Sequence, residues 1–483
     1  MRERWLVAIL LVSYGWLFVY FERINNPNEL VRVYAARALL TERTWAIGRR
    51  EASGDRYVSG WGYVNDKALV CDDKTARPPR CTGTLYAAKA PGAALLGAPF
   101  AALTGTSKTR TVFALRWILG ILPSVAFWIV FRRFLLARGV ASDVATAATL
   151  AGGLGSLSLT YGQMFAGHQL AAVALGGAYL AGFWPGKERP ALFGLLAALA
   201  VAVEYPCAPA AALLAIFWLA QRRPRPGAVA RAIAGALPPA LALLRFNWSA
   251  FGSPFSTPYS HLENLDFARD ISPGFLGISP PTWERVTGSL FAPAVGLLFW
   301  APWIGLAFAA RKEKVAWAVV VYYLVFQVTH ALWRGGWVVG PRYVTPMVPF
   351  AAAAFALDCK SFRVFCGAAA AAICATGLAS AVCQGFPTEV RNPLREVVWP
   401  LWTHGYAAPN LLQFAGIWST LPYLAALLAA IVWLLRKGGA RGFAVFAVLT
   451  LIQWAAPARD DLSAARYLAS QWQPAPPPGA KPF

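Results

Sequence analysis

The chain has 483 residues, of which 58% are hydrophobic and only 14% charged, with a formal net charge of +22. Such apolarity excludes an ordinary soluble protein, and repeated apolar runs of spanning length mark a multi-pass membrane protein. The positive charge points to membrane lipid and not to nucleic acid, because the basic residues gather at the ends of apolar runs, where the positive-inside rule places them.

A first span covers about 5–21, with basic flanks at Arg2 and Arg4 and no small-residue cleavage site, so it reads as a retained anchor with its N-terminus cytoplasmic. A long polar loop, 22–110, follows. Asn26-Pro27-Asn28-Glu29 reads as an N-cap, a proline at the first helical position and an acid at the third, predicting a helix through Leu40 along the membrane surface. Cys71 and Cys81 lie together in this loop and pair if it faces an oxidising compartment. The segment 90–104 is short and interrupted by Pro91, Gly92, Gly97 and Pro99, which suits an interfacial helix.

Further spans are expected at 111–131, 142–161, 165–184, 190–204, 206–220 and 229–248. A second polar loop, 249–288, precedes spans at 290–309, 315–332, 343–357 and 362–383. A third loop, 384–410, is followed by spans at 411–435 and 442–457 and by a Pro-rich tail, 458–483, expected to be extended and disordered. The fold class is thus all-α and polytopic: one domain, 1–457, with about thirteen spans. This phasing puts every short basic turn on the cytoplasmic side and all three long loops on the other face.

Several polar residues collect at that outer face. Glu29 is both a helix-capping acid that would pair with Arg32 and a candidate general base. Asp66, in Trp61-Gly-Tyr-Val-Asn-Asp-Lys67, is the second candidate carboxylate. Lys89 and Arg342 break the positive-inside pattern, and a guanidinium in a glycine-rich turn suits bidentate phosphate contact. Trp333, Trp337 and Tyr343 flank that turn and offer faces to a sugar or to the membrane interface. His168 and Glu204 stand at the outer ends of spans and either bind substrate or bond a neighbouring helix. No residues have the spacing of a zinc site, and no Gly-rich segment forms a nucleotide cradle, so a donor would have to be carried by lipid.

Asn28-Glu29 with Arg32, Tyr86-Ala-Ala-Lys-Ala-Pro-Gly92, Phe165-Ala-Gly-His168, Phe251-Gly-Ser-Pro254 and Gly335-Gly-Trp-Val-Val-Gly-Pro-Arg-Tyr343 together resemble bacterial GT-C superfamily glycosyltransferases. The likeness is to the branch of protein O-mannosyltransferases and lipid A aminoarabinose transferases, over about residues 5–350. It implies a polyprenyl-phosphate-sugar donor, an acceptor that is a lipid, glycan or protein, transfer with inversion, and an extracytoplasmic active site in the bacterial inner membrane. The catalytic acid of these enzymes lies in the first outer loop and maps onto Glu29, although Asn28 stands where members carry an acid. Their Lys-Pro-Pro segment corresponds to Lys89-Ala90-Pro91. Some members hold a divalent metal, which nothing in this sequence demands. The rival class is a flippase or transporter of lipid-linked sugars, but no internal repeat is apparent and the polar residues sit at one face.

Overall fold

A computed structural model describes residues 1–17, 26–58, 60–272, 274, 277–387, 389–472 and 476–483. Residues 18–25, where the first apolar run ends and the first loop opens, lie outside the described residues. The chain is mostly helical, and among the described residues four helices are long and apolar enough to cross a membrane: Lys108–Ala137, Pro226–Phe251, Phe362–Ser380 and Leu421–Ala455. Shorter apolar helices include Gly92–Ala102, Pro190–Val203, Cys207–Arg222 and Lys314–Thr329.

The helix that opens the first loop runs from Pro27 to Thr41, and its start is set as the sequence predicts. The Asn26 side-chain oxygen accepts hydrogen bonds from the backbone of Asn28 (3.1 Å) and Glu29 (3.4 Å), satisfying two orphan donors of the first turn. Downstream, the all-α expectation fails. Strands β1 (Ala46–Glu51), β2 (Gly54–Tyr57), β3 (Lys67–Cys71) and β4 (Gly83–Ala87) form an antiparallel sheet in the order β2-β1-β4-β3. Ile47, Leu69 and Leu85 are buried with the helix core, so a few apolar residues anchor strands whose other positions are charged. Cys71 and Cys81 are disulfide-bonded, joining the end of β3 to the approach to β4.

Several expected spans are broken for stated reasons. The run 290–309 holds the end of the helix Trp283–Phe291 and the short helices Leu297–Trp300 and Ile304–Ala307, because Pro293 and Pro302 lack the backbone donor that a continuous helix needs. The helix Lys108–Ala137 is continuous but includes a π-helical turn, Arg116–Ile121. The last two expected spans stay separate within Leu421–Ala455, divided by a kink at Gly439, whose φ of 60° with ψ of −157° suits glycine. Tyr423 donates to the Gly377 carbonyl near one end of Phe362–Ser380, whereas a Cβ on Gly442 would press on Arg363 at the other end. The tail is not uniformly extended: Ser463–Trp472 is helical, capped by Asp461, with Ala465, Leu468 and Ala469 buried at helical spacing.

Three of the short basic turns meet acids from other parts of the chain. Arg133 pairs with Glu3 (2.5 Å), Arg138 with Glu313 (2.8 Å), Lys312 with Asp358 (3.1 Å) and Lys437 with Asp143 (2.6 Å).

Candidate active site

Glu29 lies at the third position of its helix, directed by the Asn26 cap into the protein. Its side chain is fully buried and grips Arg116: Arg116 Nε donates to Oε1 at 2.6 Å and Nη2 to Oε2 at 2.5 Å. The backbone amide of Phe165 adds a third bond to Oε1 at 2.8 Å, and Arg116 also reaches Gln384. The expected pairing with Arg32 does not form. Arg32, one turn on and facing another direction, instead gives Nη2 to Glu204 Oε1 at 2.6 Å and Nη1 to the Asn28 carbonyl at 2.8 Å. An acid three residues away on a helix is outcompeted by partners that lock both oxygens in place.

The Arg32–Glu204 pair is itself fitted against backbone. Glu204 ends the helix Pro190–Val203, because Pro206 two residues on cannot continue it. His168 Nδ1 stands 3.6 Å from the same Glu204 oxygen. Gly167 is required here: a Cβ would fall 2.1 Å from Glu204 Oε1 and 2.4 Å from Arg32 Nη2.

Asp66 is placed differently. It occupies a left-handed backbone position (φ 60°), its amide bonded to the Asn65 side chain and its carbonyl accepting from Ala88 N at 2.8 Å. Its carboxylate meets Lys89 at 3.2 Å, and both side chains retain some exposure, 15% and 13%. Burial pushes the Asp66 carboxyl up, but Lys89, then Arg342 and Arg32, hold it below the ordinary aspartate value. Lys89 and Arg32 line one cavity whose other walls include Trp45, Pro91, Ala94 and Phe246.

Arg342 follows a turn in which Gly335, Gly336 and Gly340 all have positive φ (72°, 74° and 67°). A side chain at Gly335 would press on Arg342, with Cγ and Nε each 3.3 Å from a Cβ. The Arg342 guanidinium makes no ion pair among the described residues. Its Nη2 donates to the Tyr343 hydroxyl at 3.3 Å, and its buried Nε has no hydrogen-bond partner. Tyr343 in turn packs edge-on to His168 at 5.7 Å.

One region thus brings together Asp66, Lys89, Arg32, Glu204, His168, Tyr343 and Arg342. Glu29 lies apart from these contacts, held to Arg116. Trp333 is packed where a Cβ on Gly288 would be, and Trp337 stands edge-on to Tyr467 of the C-terminal helix. Sequence reading missed Arg116, His330 and Tyr259. Arg116 had a signal, since a basic residue inside an apolar span needs an acid nearby. His330 (5.1 Å from the Tyr343 ring) and Tyr259 (5.9 Å from the Tyr205 ring) had none. Among the described residues no three His, Cys, Asp or Glu side chains converge as metal ligands do, and no step below is routed through a metal.

No family model matches the chain, and no curated protein matches it. Solved structures are similar in chain path. ArnT from Cupriavidus metallidurans in the apo state has 14% identity and a TM-score of 0.49, over 96% of this chain and 77% of that one. ArnT bound to undecaprenyl phosphate gives 14% and 0.48, over 97% and 79%. The archaeal oligosaccharyltransferase AglB from Archaeoglobus fulgidus, in complex with an inhibitory peptide and a dolichol-phosphate, gives 12% and 0.36, over 99% of this chain and 60% of that one. At these identities and scores the likeness assigns no substrate and no residue role.

Proposed function

We propose that the chain is a membrane glycosyltransferase that moves a sugar, with inversion, from a polyprenyl-phosphate donor to an acceptor hydroxyl at the extracytoplasmic face of a bacterial inner membrane. The observation that carries this reading is Arg342, a guanidinium held in a glycine turn without a carboxylate partner among the described residues, in the same region as the Asp66–Lys89 pair. A cation left without an acid is suited to an anionic ligand, and its planar fork suits phosphate.

The acceptor oxygen attacks the anomeric carbon while the bond from that carbon to the phosphate oxygen breaks. The leaving phosphate gains negative charge, which Arg342 and Lys89 stabilise in a water-poor setting. The acceptor proton passes to a carboxylate. Of the two sequence candidates we assign Asp66, because both Glu29 oxygens are taken by Arg116 and Phe165, whereas Asp66 has one ion-pair partner and partial exposure. Arg32, Glu204, His168 and Tyr343 shape the ground around that carboxylate.

The reading includes the topology: about thirteen crossings, the N-terminus cytoplasmic, and the loops 22–110, 249–288 and 384–410 outside. The ion pairs that tie Arg133 to Glu3, Arg138 to Glu313 and Lys437 to Asp143 join three of the expected cytoplasmic turns and the N-terminus to one another, which supports that sidedness. The test is made with purified protein in lipid nanodiscs, offered a panel of undecaprenyl-phosphate-linked hexoses and pentoses with a membrane lipid extract as acceptor. Release of undecaprenyl phosphate together with a new glycosylated product is expected. Movement of intact donor across a bilayer with no cleavage of any panel member would overturn the reading in favour of a flippase.

A further inference from the structure

Four charged side chains from two separate loops are interlocked beside Asp66. Lys67, the next residue, is 2% exposed, and its ammonium reaches Asp55 Oδ2 (3.0 Å), the Tyr57 hydroxyl (3.0 Å) and the Val64 carbonyl (3.2 Å). The bond to Val64 closes the turn in which Asp66 sits. Arg50 on β1 grips Asp55 through Nε (2.7 Å) and Nη2 (3.1 Å), and Nη2 also reaches Glu263 Oε1 at 2.7 Å. Glu263 belongs to the second polar loop. Its other oxygen is 4.0 Å from Lys67, its amide donates to the Lys67 carbonyl at 3.1 Å, and Leu262 bridges to Ala68. Two cations and two carboxylates cancel, so a buried lysine is tolerated only while both acids are present.

We propose that Glu263, through Arg50, Asp55 and Lys67, is a positioning residue that clamps the second polar loop onto β3 and fixes the left-handed turn carrying Asp66. This inference rests on the assignment of Asp66 as the base. A clamp made only for fold stability would not need to join two distant loops at the residue next to the proposed base. The groups facing Asp66 itself are Lys89 in direct contact, with Arg342 and Arg32 acting on its charge. Loosening the turn carries Asp66 away from Lys89, so its carboxyl should move up toward the ordinary aspartate value.

Glu263→Gln tests the clamp, because it keeps the size and removes the charge that Arg50 and Lys67 share. In full-length protein in nanodiscs, without substrate, hydrogen exchange at the Ala88 and Glu263 amides should quicken by about tenfold, the equivalent of one charge-assisted hydrogen bond. Exchange in the helix Pro27–Thr41 should not change. With whichever panel donor is turned over, kcat should fall by roughly tenfold at constant KM. The acid limb of the pH profile should move to higher pH, which a mere loss of folded protein would not produce. Ala68→Cys with Leu262→Cys, oxidised in the Glu263→Gln background, should restore both exchange and rate. Parental exchange in Glu263→Gln overturns the clamp, and if Asp66→Asn is then inactive the base assignment stands. Quickened exchange with full turnover in Asp66→Asn leaves the clamp standing as mechanics and overturns its link to chemistry.

Discussion

Two carboxylates in the first loop, Glu29 and Asp66, are built in opposite ways. Glu29 has no exposure and no free oxygen: Arg116 and the Phe165 amide take both. Asp66 keeps one ion-pair partner, some exposure, and two further arginines within electrostatic reach. The difference separates two uses of the same chemical group. A carboxylate matched bidentately by a buried guanidinium joins helices, and removing either partner leaves a stranded charge. A carboxylate held by one lysine that itself lines a cavity, beside an arginine that makes no ion pair among the described residues, can exchange partners when a substrate arrives.

The largest expected effect breaks the comparison on the side of Asp66. Asp66→Asn should lower turnover by about 100- to 10,000-fold, the usual worth of a positioned base, while the melting temperature stays near the parental value. The pH profile supplies the sign. Because Lys89 and the two arginines depress the Asp66 carboxyl, its ionised form persists to acid pH, so activity should hold down to about pH 4 and be lost only as pH falls through the lowered value. An acid limb near pH 6 would contradict the assignment.

Breaking the other side should cost stability. Arg116→Met strands the Glu29 charge and should destabilise the protein by about 3–5 kcal/mol, read as loss of folded protein on heating in detergent. Arg116→Met with Glu29→Gln should cost less than Arg116→Met alone, because no unpaired charge remains.

The phosphate-binding reading of Arg342 predicts an intermediate effect. Arg342→Ala should lower turnover by about 100- to 1,000-fold, and Arg342→Lys should recover only part of it, since a point charge cannot reproduce a planar fork. Turnover at the parental rate in the alanine variant would exclude the role. The smallest effect is expected at the disulfide. Replacing Cys71 and Cys81 with alanine should lower the stability of the loop by about 2–4 kcal/mol and leave kcat within a few-fold of the parent. Turnover per folded molecule is the measurement that checks it.

Parts of this design can be read from the chain. The helix at Pro27–Thr41 was legible because Asn26, Pro27 and Glu29 each give a local signal, and the cysteine pair because two thiols share one polar loop. The sheet was not. Ala-Ile-Gly-Arg-Arg-Glu and Gly-Asp-Arg-Tyr show no sustained alternation, and their charges pair partly across the hairpin (Arg50–Asp55, Arg56–Glu51) and partly with distant partners such as Glu263 and Asp72. Glu29 was visible as a helix-opening acid, but its partner lies 87 residues on, in a π turn that local spacing does not announce. Lys89 and Arg342 could be named singly from their odd charge placement, and Asp66 from its aromatic surroundings in Trp61-Gly-Tyr-Val-Asn-Asp-Lys67. That they share one region depends on how the sheet and the glycine turn fold.

The most direct test is a side-by-side measurement of turnover per folded molecule for Glu29→Gln and Asp66→Asn, with the same undecaprenyl-phosphate-linked donor and below the melting temperature of both. The account predicts Asp66→Asn at least about 100-fold below the parent, and Glu29→Gln within a few-fold of it once the folded fraction is matched. A folded but inactive Glu29→Gln beside an active Asp66→Asn would contradict it and move the chemistry to the buried Glu29–Arg116 pair.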